Sequence, residues 1–173
     1  GGVASGAMVY GMSLVFGLTG SLDYAVIGER LAAGATNGPV IFVATVLMLA
    51  GFGYKIAMVP FHMWAPDVYE GAPLPVTAFL AVGSKAAGVA MLVRFFYPGI
   101  SSFAGDGSWT VLAGVDWPSL MVTVAMVTMT LGNLAALRQT NVKRLLAYSS
   151  IAHAGYMLMG FVALTDDGLR AIL

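Results

Sequence analysis

The 173-residue chain contains no cysteine, which excludes disulfides, thiolate-held iron–sulfur clusters and cysteine nucleophiles. Charge is nearly as scarce. Asp, Glu, Lys and Arg together make up 9% of the residues and balance to a formal net charge of zero. Such a composition carries no basic footprint, so nucleic acid is excluded as a partner. Glycine-rich nucleotide loops, a serine–histidine–acid set and metal-ligand spacings are also missing. There is no internal repeat of 20–50 residues and no low-complexity tract.

What the chain has in excess is apolar surface. Apolar residues make up 59% and the mean hydropathy is +0.87, far from soluble norms. We therefore expect an all-α polytopic transmembrane bundle. Five spans are expected, each near the ~20 residues that cross ~30 Å of hydrocarbon. They lie at about 1–18, 39–64, 75–97 and 118–137, with a last one after the basic turn 138–144 that ends near 164. The chain opens on Gly1 with no basic signal region, and a further apolar segment begins at Gly168. On these grounds we expect an internal piece of a longer polytopic protein.

The segments between the spans are expected to be loops. Residues 19–38 carry Asp23, Glu29 and Arg30, and the cluster 34–39 ends them. Residues 65–74 form a short acidic loop, in which Asp67 and Glu70 are solvated or bound by basic loop residues. Residues 98–117 are a Gly/Ser/Asp loop where Tyr97, Trp109 and Trp117 fit an interfacial aromatic belt. The turn with Arg138, Lys143 and Arg144 is expected on the cytoplasmic side, since short cytoplasmic loops are enriched in Lys and Arg.

The rest of the chain is organised around residues 53–88, where two lysines sit inside apolar runs. A charge at mid-membrane costs at least ~2.5–3.5 kcal/mol on insertion scales, so such residues usually serve a function. Pro60 should break or kink the second span, because it removes the bond to the Ile56 carbonyl. Ten residues at 1.5 Å rise place Lys85 about 15 Å from the start of its helix, too deep to reach either interface easily. A low-dielectric interior disfavours ammonium, which lets Lys55 and Lys85 load and release a proton. Competing readings keep each lysine permanently paired with a carboxylate, or holding an anionic headgroup at the interface.

Two histidines complete the candidate set. His62 follows Lys55 by seven residues across the proline, and fits either proton entry or capping of freed carbonyls. His153 shares a helix face with Ser149, Tyr156 and Gly160, and this face is the expected neighbour of the lysines. It could support a water-mediated relay, or plain helix–helix hydrogen bonding. Haem ligation by the two histidines lacks any further support, and their depths look mismatched.

Two segments carry a family resemblance: GYKIAMVPFHMWAPDVYEGAPLPVTAFLAVGSKAAG (53–88) and LGNLAALRQTNVKRLLAYSSIAHAGYML (131–158). They resemble the antiporter-like membrane subunits of proton-pumping NADH:quinone oxidoreductase (respiratory complex I), a family shared with multi-subunit cation/proton antiporters. The pairing of VYEGAP with the lysine of GSKAAG resembles the subunit N branch.

The resemblance implies that residues 1–173 are one fragment of a larger transmembrane domain built from two inverted halves. It implies proton translocation coupled to quinone reduction elsewhere, with Lys55 as the central lysine of a broken helix and Lys85 as the bridging lysine. His62 and His153 match histidines of the same motifs. A glutamate partner upstream and an exit-side lysine downstream would both lie outside the chain. No cofactor is expected here; NADH, FMN, iron–sulfur clusters and quinone belong to other subunits. The implied partners are other membrane subunits, especially antiporter-like and small ones, and the lipid of an energy-coupling membrane (bacterial plasma membrane or organellar inner membrane). A cation/proton antiporter subunit and a purely structural membrane subunit are the alternatives.

Overall fold

The structure, a computed structural model, describes residues 1–34, 37–112 and 116–172. The expected turn cluster 34–39 and the loop 98–117 each fall partly outside the described residues. The elements run in the order α1 (Gly2–Thr19), α2 (Tyr24–Ala32), α3 (Gly38–Ile56), α4 (Trp64–Gly71) and α5 (Leu74–Phe79). After a π-helical turn at Leu80–Ser84 come α6 (Lys85–Ile100), the strands β1 (Ser101–Phe103) and β2 (Trp109–Val111), then α7 (Trp117–Leu137), α8 (Val142–Val162) and α9 (Asp166–Arg170). Among the described residues, five helices are long and apolar enough to cross a membrane: α1, α3, the continuous run Leu74–Ile100, α7 and α8.

The second span is shorter than the sequence suggested. Its helix ends at Ile56, before the proline, and Ala57 takes a left-handed conformation (φ 59°). The Ala57 amide then bonds the Tyr54 carbonyl and the Met58 amide bonds the Gly53 carbonyl, closing the helix end upon itself. The residue before a proline avoids helical geometry, so the chain must leave the helix ahead of Pro60.

Three segments expected as loops contain regular structure. Residues 64–71 form a helix because Pro66 falls in its first turn, where an amide donor has no intrahelical partner, and Asp67 favours the same end. Residues 24–32 form a helix whose N-cap, Asp23, accepts from the Ala25 amide at 2.9 Å. It buries Ile27, Gly28 and Leu31. Gly28 is packed against the end of α6 so closely that a Cβ there would lie 2.5 Å from the Pro98 carbonyl oxygen. The third segment holds the antiparallel hairpin pairing Ser101 with Val111 and Phe103 with Trp109. The apolar segment expected from Gly168 begins instead with the short helix α9, capped by Thr165.

The core is densest where the ends of α6 and α8 meet the start of α7. Phe96 and Trp117 lie 4.9 Å apart by ring centroid, and Tyr97 and Phe161 5.5 Å apart. The Tyr97 hydroxyl donates to the Phe161 carbonyl at 2.7 Å. Tyr97 and Trp117 are thus buried core residues, each packed against rings from other helices.

Helices α7 and α8 approach most closely through glycine. A Cβ at Gly132 would lie 2.8 Å from the Ala152 amide nitrogen, and one at Gly155 2.6 Å from the Met129 side chain. Small residues at such crossings let backbones pack in lipid, where no hydrophobic drive joins helices. At the opposite end of α8, Arg144 bonds Asp67 at 2.7 Å and Glu70 at 2.9 Å. Asn141 donates to Glu70 at 2.7 Å. The ends of the loops after α3 and α7 therefore meet.

Candidate functional site

Lys85 opens α6, directly after the π-helical turn, and is 4% exposed. Its ammonium donates to both the carbonyl and the hydroxyl oxygen of Ser150 on α8, each at 2.6 Å. None of the ion pairs among the described residues includes Lys85 or Lys55. The reading of lysines locked to carboxylates thus has no partner within these residues. A serine hydroxyl accepts a bond from an ammonium and can donate one to the neutral amine. Ser150 is therefore a partner suited to either protonation state.

Lys55 lies in the last turn of α3, one residue from its end. Its stem runs over Gly88 of α6, where a Cβ would come within 3.2 Å of the Lys55 Cγ and 2.8 Å of the Ile56 Cγ2. Gly88 is one turn beyond Lys85, about 4.5 Å along the helix axis. Lys55 of α3 thus meets the stretch of α6 that begins with Lys85, although Lys55 is exposed where Lys85 is buried. Lys55 borders a cavity of about 400 Å³ that Ala4, Ser5 and Met8 of α1 also line. Lys85 borders another of about 570 Å³, with Val89, Arg94 and Met157.

The broken end of α3 is held from two sides. The Trp64 indole donates to the Tyr54 carbonyl at 2.9 Å, and the two rings stack at 5.2 Å. The Val59 amide donates to the hydroxyl of Thr128, a fully buried residue of α7, at 3.1 Å. Bonds of this kind are required of non-helical backbone at membrane depth. Replacing Thr128 with valine keeps the shape and removes the acceptor. The expected result is a loss of about 1–3 kcal/mol from the stranded amide, read as a lower thermal midpoint of the full-length protein in detergent.

His62 sits in the turn between α3 and α4, half-buried, with its Nδ1 buried and unpartnered among the described residues. Burial holds its imidazole below the ordinary range, against a smaller upward pull from the Pro60 carbonyl. Burial thus favours the neutral imidazole.

His153 is placed differently from expectation. It is exposed on α8, its Nδ1 is 2.8 Å from the Ser149 carbonyl oxygen, and its ring meets Tyr156 edge-on at 5.6 Å. Tyr156 in turn accepts from Asn133 of α7 at 2.7 Å. Ser150, and not the Ser149–His153–Tyr156 face, meets Lys85, because that face turns outward from the bundle. The Ser150 pairing spans 65 residues, and only the neighbouring Ser149 stood on the expected stripe. Among the described residues no group of three or more His, Asp or Glu is placed to hold a metal ion.

A family model described as NADH:quinone oxidoreductase/Mrp antiporter, transmembrane, matches residues 1–173. A protein named NADH-quinone oxidoreductase subunit N 2 from Sorangium cellulosum is 58% identical, aligned over 99% of this chain and 34% of its own length. The subunit N of Anaeromyxobacter sp. is 52% identical, over 100% of this chain and 35% of its own length. Among solved structures, respiratory complex I from Thermus thermophilus with bound aureothin contains a chain 40% identical, with a TM-score of 0.70, covering 92% of this chain and 31% of that one. An archaeal membrane-bound sulfane sulfur reductase contains one 28% identical, with a TM-score of 0.77, covering 99% and 34%. The chain spans about a third of the length of these relatives.

Proposed function

The chain belongs to the NADH:quinone oxidoreductase/Mrp antiporter transmembrane family, and from that premise we propose that it is the central part of a proton-translocating complex I membrane subunit. It is an integral membrane protein. In the proposed path, Lys55 receives a proton at the broken end of α3 and passes it through water to Lys85 on the next span. His62 serves at the entry side, and His153 continues the path beyond α8. NADH oxidation and quinone reduction, with their flavin, iron–sulfur and quinone groups, take place on other subunits. The neighbouring membrane subunits are the partners.

One observation carries this reading. Lys85 is a buried ammonium held by neutral oxygens of Ser150, with no carboxylate fixing its charge among the described residues. An ionisable group placed so deep in a membrane helix defaults to function. The similarity also extends to two respiratory complexes, one of them named for reduction of sulfane sulfur. A fold common to both suits ion movement better than any one redox reaction.

Lys55 supplies the test. In the full-length subunit assembled in its complex and reconstituted in sodium-free vesicles, Lys55→Ala should lower NADH-driven proton uptake on the order of tenfold or more. NADH oxidation with a water-soluble acceptor should be unchanged. Normal pumping by an assembled variant would sink the proposal. Because the family description also names Mrp antiporters, a second reading is cation/proton antiport. It requires that uptake depend on Na⁺, which the same vesicles report.

A further inference from the structure

Tyr69 of α4 is 1% exposed, yet its hydroxyl is one of the buried polar atoms left without a hydrogen bond among the described residues. A buried unsatisfied hydroxyl is uncommon and calls for a reason. Its ring packs in a small cluster with Ala147 and Ile151 of α8, which flank Ser150 by three residues and by one. Leu80 and Ala81, from the turn that leads into Lys85, border the same cluster. Burial pushes the Tyr69 phenol up and the neighbouring Ser150 side chain pulls it part of the way back, although no hydrogen bond between the two is formed. Ser150 therefore stands between a phenol on one side and the Lys85 ammonium on the other.

The hydroxyl inventory gives this order a consequence. When Lys85 is protonated, its ammonium donates to the Ser150 oxygen, as observed, and Tyr69 need not. When Lys85 has released its proton, Ser150 turns its own O–H toward the amine, and its oxygen is left with free lone pairs. Within that buried cluster Tyr69 is placed to fill one of them. We propose that Tyr69 is a positioning residue for proton release, acting through Ser150 by donating to it when Lys85 is neutral. No covalent bond forms: the Ser150 and Tyr69 hydroxyls only rotate, and each keeps its own proton.

Other charged and titratable groups stand nearby, among them Tyr148 of α8, which borders the same cluster as Tyr69. Lys55 of α3 reaches α6 one turn beyond Lys85, and Arg94 lines the cavity that Lys85 borders. His153 follows Ser150 by one turn on α8 and is exposed. Asp67 and Glu70, on the same short helix as Tyr69, are occupied with Arg144. Tyr69 is thus the phenol that meets Ser150 from the α4 side, while the acids of α4 are engaged elsewhere.

The inference rests on the proposed role of Lys85, and its test separates the two. Tyr69→Phe preserves the packed ring and removes only the hydroxyl. In the full-length subunit within its complex, it should move the alkaline limb of NADH-driven pumping upward by about half to one pH unit, the size of one lost hydrogen bond. Ser150→Ala removes an acceptor of the ammonium and should move the limb downward instead, and adding Tyr69→Phe to it should change nothing more. A Tyr69→Phe profile identical to the parent, or additive effects in the double variant, would overturn the inference even if Lys85→Ala abolishes pumping. Normal pumping by Lys85→Ala would instead overturn the Lys85 reading, and this inference with it.

Discussion

Replacing Lys85 with alanine in the full-length subunit is expected to abolish proton pumping by the assembled complex, leaving NADH oxidation by a soluble acceptor intact. Among the described residues the ammonium is the only side-chain cation bound to Ser150, at 2.6 Å from both its carbonyl and its hydroxyl. Alanine removes the proposed proton carrier and also leaves the Ser150 hydroxyl without the ammonium that donates to it. Loss of a positioned proton-transfer group typically costs a factor on the order of 10² to 10⁴. Pumping should therefore drop to the leak level of the vesicles. Lys85→Arg sharpens the test, because a guanidinium keeps the charge and never releases its proton. If charge alone matters, arginine restores pumping; if the proton must move, arginine fails as alanine does. We expect failure. Undiminished pumping by an assembled alanine variant would remove Lys85 from the path.

The second large effect concerns assembly. At Gly132 the backbones of α7 and α8 are so close that a Cβ would stand 2.8 Å from the Ala152 nitrogen and 3.0 Å from its Cα. These are backbone atoms, so no side-chain rotation can relieve the clash. Gly132→Leu must push the two helices apart, and Gly155 on α8 sets the same spacing from the other side. We expect a cost of about 3 kcal/mol, at the upper end of overpacking, and little mature subunit in membranes. Gly132→Ala should fall between the parent and leucine. The measurement is the abundance of the full-length subunit in membranes together with its thermal midpoint. Wild-type levels for the leucine variant would show that α7 and α8 can separate without loss.

Much of this was legible before any coordinates, and the reasons are specific. The five spans follow from length and hydropathy alone, since crossing ~30 Å of hydrocarbon demands about 20 apolar residues. Lys85 was legible as deep because a residue count from Pro75 fixes its height in a helix. Its partner was not, because Ser150 and Ser149 sit on adjacent positions and only tertiary packing selects one of them. Residues 19–38 and 65–74 read as loops because short, charged stretches lack the long apolar pattern of a span. Their helices form through local caps and first-turn placement, with Asp23 and Pro66 in those roles. The exit from α3 at Ala57 escaped for a related reason. Proline marks that a helix must stop but not how many residues earlier it does so. The aromatic residues Tyr97 and Trp117 had the right positions for a belt, and only the rings of Phe96 and Phe161 draw them inward.

The two ends of α8 are fastened by different means. At Phe161 a dry aromatic knot grips it, with Tyr97 bonded to the main chain; at Arg144 it is fastened by ion pairs that remain open to water. The helix would act as a lever arm were α8 to pivot at the knot. Ser150 lies eleven residues from it, about 16 Å along the axis, so a tilt of about 5° would carry Ser150 roughly 1.4 Å. A swing of that size away from Lys85 would break its bond to Ser150, and the contact of Gly132 with Ala152, two residues from Ser150, is what resists it.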